Sequence, residues 1–167
     1  RVVIIGGGAV GVETALALAE EGTLSGETLK FLLVHGAESP QDLLELAVRG
    51  NREIVLVEML KEVGGNFGKT TRWGMMQDVK RFGVRALTTA RVLEITPKGI
   101  RLERKGTVEE IPAETVVLAV GTRSHNPLKD LLAKKGIPFR TAGDADRVAL
   151  AFDAVHQGFA AGREIGR

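Results

Sequence analysis

The sequence predicts an α/β fold with a central parallel sheet, and three features of its segment order predict it. Val2–Ile5 and Ile54–Val57 are short, continuous apolar runs, which are typical of strands buried on both faces. Helix-forming stretches alternate with such runs, and this order favours right-handed βαβ units. Three short runs between residues 92 and 111, separated by turn-forming residues, indicate an antiparallel β-meander.

The first half of the chain is predicted to hold two strands, a connecting helix and a helical insertion. Ser39 and Pro40 are favoured at the N-cap and at the first position of a helix, and Gly50 is favoured just after a helix end. In order, the predicted elements are a strand over 2–5, a helix over 12–19, an insertion over 23–51 with helices over 27–34 and 41–48, and a strand over 54–57.

The second half is predicted to complete the sheet and to end in a long helix. The last helix is expected because Val148, Phe152, Val155 and Phe159 recur at the spacing that places them on one helical face. In order, the predicted elements are a helix over 71–82, a strand over 84–87, the meander over 92–96, 100–104 and 108–111, a strand over 115–120, a helix over 128–134, a strand over 137–141 and a helix over 146–161.

Composition indicates a globular protein and excludes several classes of function. The 167 residues are 44% hydrophobic and 26% charged, and a formal net charge of +2 without blocks of like charge gives no nucleic-acid-binding surface. The chain has no cysteine, and its three histidines are scattered, so no metal site is expected. Neither a membrane-length apolar run nor a signal peptide occurs, which favours a cytoplasmic protein. The abrupt start at Arg1, without methionine, favours a fragment of a longer chain.

A glycine-rich turn follows the first strand at Gly6-Gly7-Gly8-Ala9-Val10-Gly11 and satisfies the pattern G-x-G-x-x-G. In this pattern Gly6 permits the tight turn, Gly8 lets the backbone approach a diphosphate, and Gly11 lets the helix pack against the strand. The N-terminus of that helix offers free N–H groups and a partial positive charge to phosphates. The context predicts a Rossmann-like dinucleotide-binding domain, and a glycine turn that binds nothing is the alternative.

Glu58 ends the strand after the insertion, where an acidic residue binds the ribose hydroxyls in this kind of fold. It follows Gly11 by 47 positions, which is too far, but removing the 29 residues of 23–51 leaves an ordinary spacing of 18. Because a carboxylate accepts hydrogen bonds from ribose hydroxyls and repels a 2′-phosphate, Glu58 predicts a preference for NADH over NADPH. The alternative is a solvated charge at a strand end.

Two other nucleotide-dependent classes are less well supported. The stretch Gly64-Gly-Asn-Phe-Gly68-Lys69-Thr70 is similar to the end of a P-loop, but Val63 stands where that motif requires its first glycine. An S-adenosylmethionine-dependent transferase would share the first strand and the acidic residue. It is disfavoured by the segments Gly143-Asp144 and Ala154–Ala161.

Several motifs together resemble the pyridine nucleotide–disulfide oxidoreductase superfamily. GGGAVGVETA at 6–15 resembles the NAD(P)-binding segment, and the strand ending at Val120-Gly121 followed by Asn126 resembles a second family motif. Gly143-Asp144 with AVHQGFAA at 154–161 resembles the C-terminal flavin motif. The insertion and the stretch FGKTTRW at 67–73 are similar to old-yellow-enzyme-like NADH:flavin oxidoreductases, such as 2-enoate and 2,4-dienoyl-CoA reductases.

The resemblance implies that this chain is the NADH-binding part of a larger enzyme. FAD, FMN and an iron–sulfur cluster are implied for the whole enzyme only, with no FAD expected on this chain alone and little activity expected from it. Residues 1–136 would form the NAD(P)-binding domain, and 137–167 would return to the FAD-binding half. The remaining flavin-binding parts of the same polypeptide would be its partner, with neither nucleic acid nor membrane involved.

Thirteen residues are predicted to contact nucleotides, and none is predicted to be catalytic. Glu13 is assigned to the first turn of the glycine-loop helix, where it either contacts nicotinamide or interacts with the helix dipole. Lys69 and Arg72 either reach a phosphate or ribose or are solvated. The rest of the predicted set is Gly6, Gly8, Ala9, Val10 and Gly11 at the diphosphate, Glu58, Met59 and Lys61 at the adenosine, Val120 and Gly121 near the nicotinamide half, and Asp144 at the flavin.

Two functions from different classes follow from this set. The first is an electron-donor site that positions NADH for hydride transfer to FAD, in an enzyme that reduces enoates or enoyl thioesters. The second is a non-catalytic site that holds ADP as a structural ligand in a flavoprotein dehydrogenase. Reduced nicotinamide adds affinity beyond that of ADP only in the first case.

Overall fold

The computed structural model describes residues 1–165, which fold into two compact units. The first unit comprises Arg1–Val120, and the second begins at Gly121. The boundary predicted at 136/137 would separate functional parts of a longer enzyme, and it stays a prediction. The last two residues of the chain, 166 and 167, lie outside the described residues.

The first unit is built on a parallel sheet of four strands. β1 (Val2–Ile5) lies between β2 (Ile54–Val57) and β7 (Thr115–Leu118), and β3 (Arg85–Leu87) lies outside β2, which gives the order β3-β2-β1-β7. All three strand pairs are parallel, with Ile5 opposite both Val57 and Leu118. The predicted central parallel sheet is therefore confirmed, although its last strand ends at Leu118 instead of at residue 120.

Alternate side chains of the central strands enter two different cores, so both faces of the sheet are covered. On one face, β1 and β2 pack against two helices, α1 (Ala9–Glu20) and α4 (Lys69–Arg81). On the other face, they pack against the meander. The three layers explain why the strands read as continuous apolar runs rather than as alternating ones.

The meander forms its own antiparallel sheet, as predicted, from β4 (Ala90–Thr96), β5 (Gly99–Arg104) and β6 (Thr107–Pro112). Two residues of its middle strand, Ile100 and Leu102, are fully buried against the parallel sheet. These contacts fix the meander as the third layer of the first unit.

The insertion forms two helices, α2 (Gly26–Val34) and α3 (Pro40–Val48). Each begins one residue before its predicted start, directly after Ser25 and Ser39, whose hydroxyls each accept a hydrogen bond from a backbone N–H three residues later. Neither helix, nor any other within residues 1–165, is long and apolar enough to cross a membrane.

The second unit contains α5 (Leu128–Lys134), a 3₁₀ turn (Gly143–Ala145) and α6 (Ala151–Glu164). The strand predicted at 137–141 is absent, since these residues are irregular and pair with no neighbouring strand. A strand needs a partner for its backbone hydrogen bonds, and Pro138 also lacks an N–H.

The last helix begins five residues later than predicted. The carboxylate of Asp153 accepts a hydrogen bond from the Leu150 N–H at 3.2 Å, which caps the helix at Leu150 and leaves Val148 outside it. The apolar face predicted for this helix therefore loses its first member. Phe152, Val155 and Phe159 remain on the helix and are about two-thirds or more exposed.

Candidate nucleotide-binding site

The glycine loop joins β1 to α1 at the carboxyl edge of the parallel sheet. Gly6 has a φ of +108°, and a Cβ there would stand 2.2 Å from the Ala119 carbonyl oxygen. A Cβ at Gly11 would stand 1.8 Å from the Gly6 carbonyl oxygen. Both positions therefore exclude every other residue, which confirms the tight turn and the close helix packing predicted from the pattern.

The N-terminus of α1 has no side-chain cap. Gly8 is the N-cap residue, and the first hydrogen bond of the helix runs from the Val12 N–H to the Gly8 carbonyl oxygen at 3.0 Å. The N–H groups of Ala9, Val10 and Gly11 precede that bond and have no partner within the helix. Such groups attract an anion, and the helix dipole adds a partial positive charge.

Glu58 is held at the end of β2 by four hydrogen bonds. Its carboxylate accepts one from the Gly7 N–H at 2.6 Å through Oε2 and one from the Leu60 N–H at 2.8 Å through Oε1. Its own N–H donates to the Leu87 carbonyl oxygen at 2.8 Å, and its carbonyl accepts from the Ala90 N–H at 3.0 Å. The partly buried carboxylate thus lies against the glycine loop, and each of its oxygens retains a further lone pair.

The helical insertion leaves the unit and returns to it at nearly the same point. The Asn51 N–H donates to the Glu21 carbonyl oxygen at 2.9 Å, just beyond the end of α1. A Cβ on Gly50 would stand 2.0 Å from the Ala19 carbonyl oxygen, so the returning chain passes directly over the helix end. The long spacing between Gly11 and Glu58 therefore reflects an insertion that does not displace β2.

The pattern G-x-G-x-x-G allows any residue at position 7, so the sequence alone does not identify Gly7 as a site residue. In the structure a Cβ on Gly7 would stand 2.9 Å from Cβ of Glu58 and 3.0 Å from its Oε2. The Glu58 carboxylate can reach the Gly7 N–H only because Gly7 has no side chain. The type of residue at Gly7 and the position of Glu58 are thus physically coupled.

The segment after β2 folds back onto the glycine loop. The Gly64 N–H donates to the Gly7 carbonyl oxygen at 2.7 Å, and the Phe67 N–H donates to the Gly64 carbonyl oxygen at 3.1 Å. Asn66 lies in this turn, and its Nδ2 is 3.7 Å from the place where a Cβ on Gly8 would stand. No motif in the sequence identifies Asn66.

Four predicted nucleotide contacts are exposed side chains around this loop. Glu13 does not lie in the first turn of α1, because the helix begins at Ala9, three residues earlier than predicted, and Glu13 is its fifth residue. Met59 is 70% exposed, Lys61 is exposed beyond it, and Lys69 is the first residue of α4. No described hydrogen bond or ion pair within residues 1–165 fixes these three side chains.

Arg72 is the exception among the predicted basic residues. Its Nε donates to the Val63 carbonyl oxygen at 3.0 Å, and its Nη2 lies 2.9 Å from the Glu62 carboxylate. Both contacts tie α4 to the segment after β2. The structure therefore supports a positioning role for this guanidinium rather than a solvated one.

The last predicted NADH contacts stand at the boundary between the units. Val120 belongs to the first unit and is 68% exposed just beyond β7. Gly121 begins the second unit with a φ of +94°.

Within the second unit, the motif residues identified by resemblance come together. The Gly143 N–H donates to Oε1 of Gln157 at 2.6 Å, and Nδ2 of Asn126 donates to the Ala145 carbonyl oxygen at 3.2 Å. Asp144 is exposed in the same turn, with its Oδ1 3.4 Å from the Ala149 N–H. Three separate sequence motifs thus build one turn that presents the Asp144 carboxylate.

Comparison with known families gives the decisive match. Residues 1–148 match the family described as pyridine nucleotide-disulphide oxidoreductase. The chain belongs to this family. Since the match includes the glycine loop and Glu58, the superfamily inferred from the motifs is confirmed, whereas the old-yellow-enzyme-like subgroup stays a prediction.

Curated relatives of the family are similar along nearly the whole chain. A metal reductase of Desulforamulus reducens is 44% identical over 159 residues, which is 95% of this chain and 24% of the relative. An NADH oxidase of Thermoanaerobacter brockii is 35% identical over 161 residues, which is 95% of this chain and 20% of the relative. The chain therefore spans about a quarter or less of the length of these relatives.

Solved structures confirm the fold. A 2-naphthoyl-CoA reductase has a TM-score of 0.71 at 21% identity, over 98% of this chain and 21% of the other. The 6-hydroxypseudooxynicotine amine oxidase of Pseudomonas geniculata has a TM-score of 0.74 at 17% identity, over 99% of this chain and 22% of the other. At these identities the likeness establishes the Rossmann-like architecture and no more.

Proposed function

We propose that the first unit binds NADH and positions it for hydride transfer to FAD within a larger flavin-dependent oxidoreductase. The observation that carries this proposal is the arrangement of Glu58 against the glycine loop. The carboxylate is bonded to the Gly7 N–H, and the helix end that attracts anions begins at the next residue, Gly8. A dinucleotide needs this pair of groups, since its diphosphate and its ribose hydroxyls present opposite hydrogen-bonding requirements.

The residues around Gly8 fit a diphosphate. A Cβ on Gly8 would meet only the Asn66 amide within 4 Å, so the backbone there is open to a ligand. Gly8, Ala9, Val10 and Gly11 would present the free N–H groups of α1 to the phosphate oxygens. Gly6 shapes the turn that aims them.

The Glu58 carboxylate would accept hydrogen bonds from the adenosine ribose hydroxyls. Its two bonds from backbone N–H groups already fix its position, so no ordering of this side chain opposes binding. A 2′-phosphate would place up to two negative charges beside it, which disfavours NADPH.

The remaining predicted contacts are assigned by their position along the chain. Met59 and Lys61 would flank the adenine, and Lys69 would approach a phosphate or ribose. Glu13, Val120 and Gly121 would approach the nicotinamide half, where NADH supplies a hydride and FAD accepts it. Asp144 would hold a hydroxyl of the flavin, because its carboxylate is exposed and only weakly bonded.

An ADP-binding structural role is the second candidate. The groups whose positions are fixed by hydrogen bonds, Glu58 and the segment at Gly64, all surround the predicted adenosine and diphosphate positions. ADP alone could use all of them. The two candidates therefore differ only in what the nicotinamide half adds.

The substrate of the whole protein is a separate proposal. The sequence resemblance favours enoates or enoyl thioesters, whereas curated relatives are a metal reductase, an NADH oxidase and a bilirubin reductase. The names of two of these relatives state different electron acceptors, a metal and bilirubin, which favours selection of the acceptor outside the shared module. FMN and an iron–sulfur cluster would also lie outside this chain, which contains no cysteine.

The test is a calorimetric titration of the purified chain with NADH, NADPH and ADP. Binding of NADH that is at least tenfold tighter than that of both others is the expected result. Equal affinities for ADP and NADH would replace the electron-donor role by the structural one. Tighter binding of NADPH would refute the role given to Glu58, and no binding of any of the three would refute both candidates.

A further inference from the structure

We propose that Asn66 is a diphosphate-binding residue whose side-chain amide donates a hydrogen bond to the nucleotide beside Gly8. This inference rests on the proposed nucleotide site and adds to it a residue outside the glycine pattern. It begins from the steric surroundings of Gly8, the position at which the backbone must approach a diphosphate. Within 4 Å of a Cβ built there, only the two amide atoms of Asn66 occur, Nδ2 at 3.7 Å and Oδ1 at 3.8 Å.

The turn that carries Asn66 is fixed directly to the glycine loop. The Gly64 N–H bonds the Gly7 carbonyl oxygen at 2.7 Å, and the bond from the Phe67 N–H to the Gly64 carbonyl oxygen at 3.1 Å closes the turn. The ring of Phe67 packs against the core under α1. The backbone on both sides of Asn66 is thus held, and its distance from Gly8 is set by the fold.

The Asn66 amide is available to a ligand. It is exposed, and no described hydrogen bond within residues 1–165 uses its side chain. Because Nδ2 and Oδ1 are almost equally far from the Gly8 position, a rotation about χ2 directs the N–H donors toward that position without moving the backbone. A neutral donor suits a phosphate oxygen and adds no charge near the Glu58 carboxylate.

The proposal is tested with Asn66→Asp, which keeps the shape and replaces a donor by a negative charge. Calorimetry at low salt is expected to show about 10- to 100-fold weaker binding of both ADP and NADH, because the carboxylate repels the phosphates. The loss should shrink at 0.5 M salt, since the site is exposed. Adenosine, which lacks phosphates and is followed by NMR titration at millimolar concentration, should bind both proteins equally. Gln41→Glu, the same charge change on α3, is the matched control and should change none of these affinities.

Two results would overturn the role of Asn66, and a third would refute the proposed function itself. Unchanged ADP binding by Asn66→Asp, or a loss for adenosine as large as that for ADP, would overturn the role of Asn66 and leave the nucleotide site intact. Asn66→Ala tests the donor role without adding a charge. The loss of one neutral donor should weaken ADP binding by only about 3- to 10-fold. If the unmodified chain binds neither ADP nor NADH, the proposed function is refuted, and the role of Asn66 that rests on it is refuted as well.

Discussion

Replacing Gly7 by alanine tests whether the glycine loop and Glu58 form one unit. The added Cβ would stand 2.9 Å from Cβ of Glu58 and 3.0 Å from its Oε2. The backbone of Glu58 is bonded to Leu87 and Ala90, so the carboxylate has to move instead. That movement breaks the 2.6 Å bond from the Gly7 N–H and bends the 2.8 Å bond from the Leu60 N–H.

The magnitude follows from these contacts. Overpacking costs about 1–3 kcal/mol, and a hydrogen bond to a charged group contributes about 1.5–3 kcal/mol. The lower backbone entropy of alanine in the unfolded chain offsets about 0.4–1 kcal/mol. Together these contributions lower the free energy of unfolding by about 1.5–5.5 kcal/mol, and the melting temperature should fall by roughly 3–22 °C for a chain of this length.

Binding should change in a characteristic way. A displaced carboxylate loses the ribose hydroxyls, so NADH should bind about 10- to 100-fold more weakly, which corresponds to about 1.4–2.8 kcal/mol. The affinity for NADPH should fall less, because the same movement takes the Glu58 carboxylate away from the 2′-phosphate that it repels. Urea unfolding measures the stability, and calorimetry with both nucleotides measures the binding.

Gly74→Ala is the matched control, because Gly74 lies within α4 and a Cβ there meets nothing within 4 Å. Alanine is favoured in a helix interior, so this variant should gain about 0.5–1 kcal/mol and bind NADH normally. The reasoning is refuted if Gly7→Ala unfolds within about 0.5 kcal/mol of the unmodified protein, or if it keeps the original ratio of NADH to NADPH affinity.

Three further predictions concern other parts of the chain. Glu58→Gln should raise the affinity for NADPH relative to NADH about tenfold by calorimetry, because the charge facing a 2′-phosphate is removed while the shape is kept; an unchanged ratio would show that the carboxylate does not face the ribose. Leu102→Ala should destabilise the first unit by about 2–5 kcal/mol in urea, since this fully buried side chain would leave a cavity between the two sheets. Gln157→Ala should speed amide hydrogen exchange at Gly143 by about 5- to 30-fold, because the 2.6 Å bond from the Gly143 N–H is lost; slow exchange in this variant would mean that the turn is held without Gln157.

The sequence predicts the first unit well because local and long-range signals agree there. Val2–Ile5 and Ile54–Val57 are apolar throughout, and the structure covers both faces of these strands. Ser25 and Ser39 mark helix starts by a mechanism that needs no tertiary contact. Such elements can be placed from residue types alone.

The second unit is predicted less well because its elements depend on partners. The run at 137–141 has strand-like composition, yet no neighbouring strand receives its hydrogen bonds. The start of α6 is set by one side chain, Asp153, which caps Leu150. An apolar periodicity that included Val148 could not locate that cap, since periodicity reports a face and not a terminus.

In the candidate site too, residues with a local role can be predicted from the sequence, whereas residues whose role depends on a distant partner cannot. The pattern identifies Gly6, Gly8 and Gly11 because each has its own steric reason, and Glu58 follows once the insertion is recognised. It misses Gly7 and Asn66, whose roles exist only in relation to Glu58 and Gly8 across 51 and 58 positions of sequence. Pairwise requirements of this kind become visible only when distances are known.

Glu58 carries two functions that conflict when the nucleotide preference is changed. It would bind the ribose hydroxyls, and it also joins the glycine loop to the segment after β2 through Gly7 and Leu60. A substitution such as Glu58→Arg, chosen to attract a 2′-phosphate, would leave both backbone N–H groups without their acceptor and place a cation beside a helix end that is already positive. Preference for NADPH is therefore better sought with Glu58→Gln, whose amide oxygen still accepts one of the two bonds, together with a positive charge added at exposed Met59. Such a double variant should bind NADPH more tightly than Glu58→Arg does while unfolding at a higher urea concentration, and the opposite order would show that the bonds from Gly7 and Leu60 contribute little to the loop.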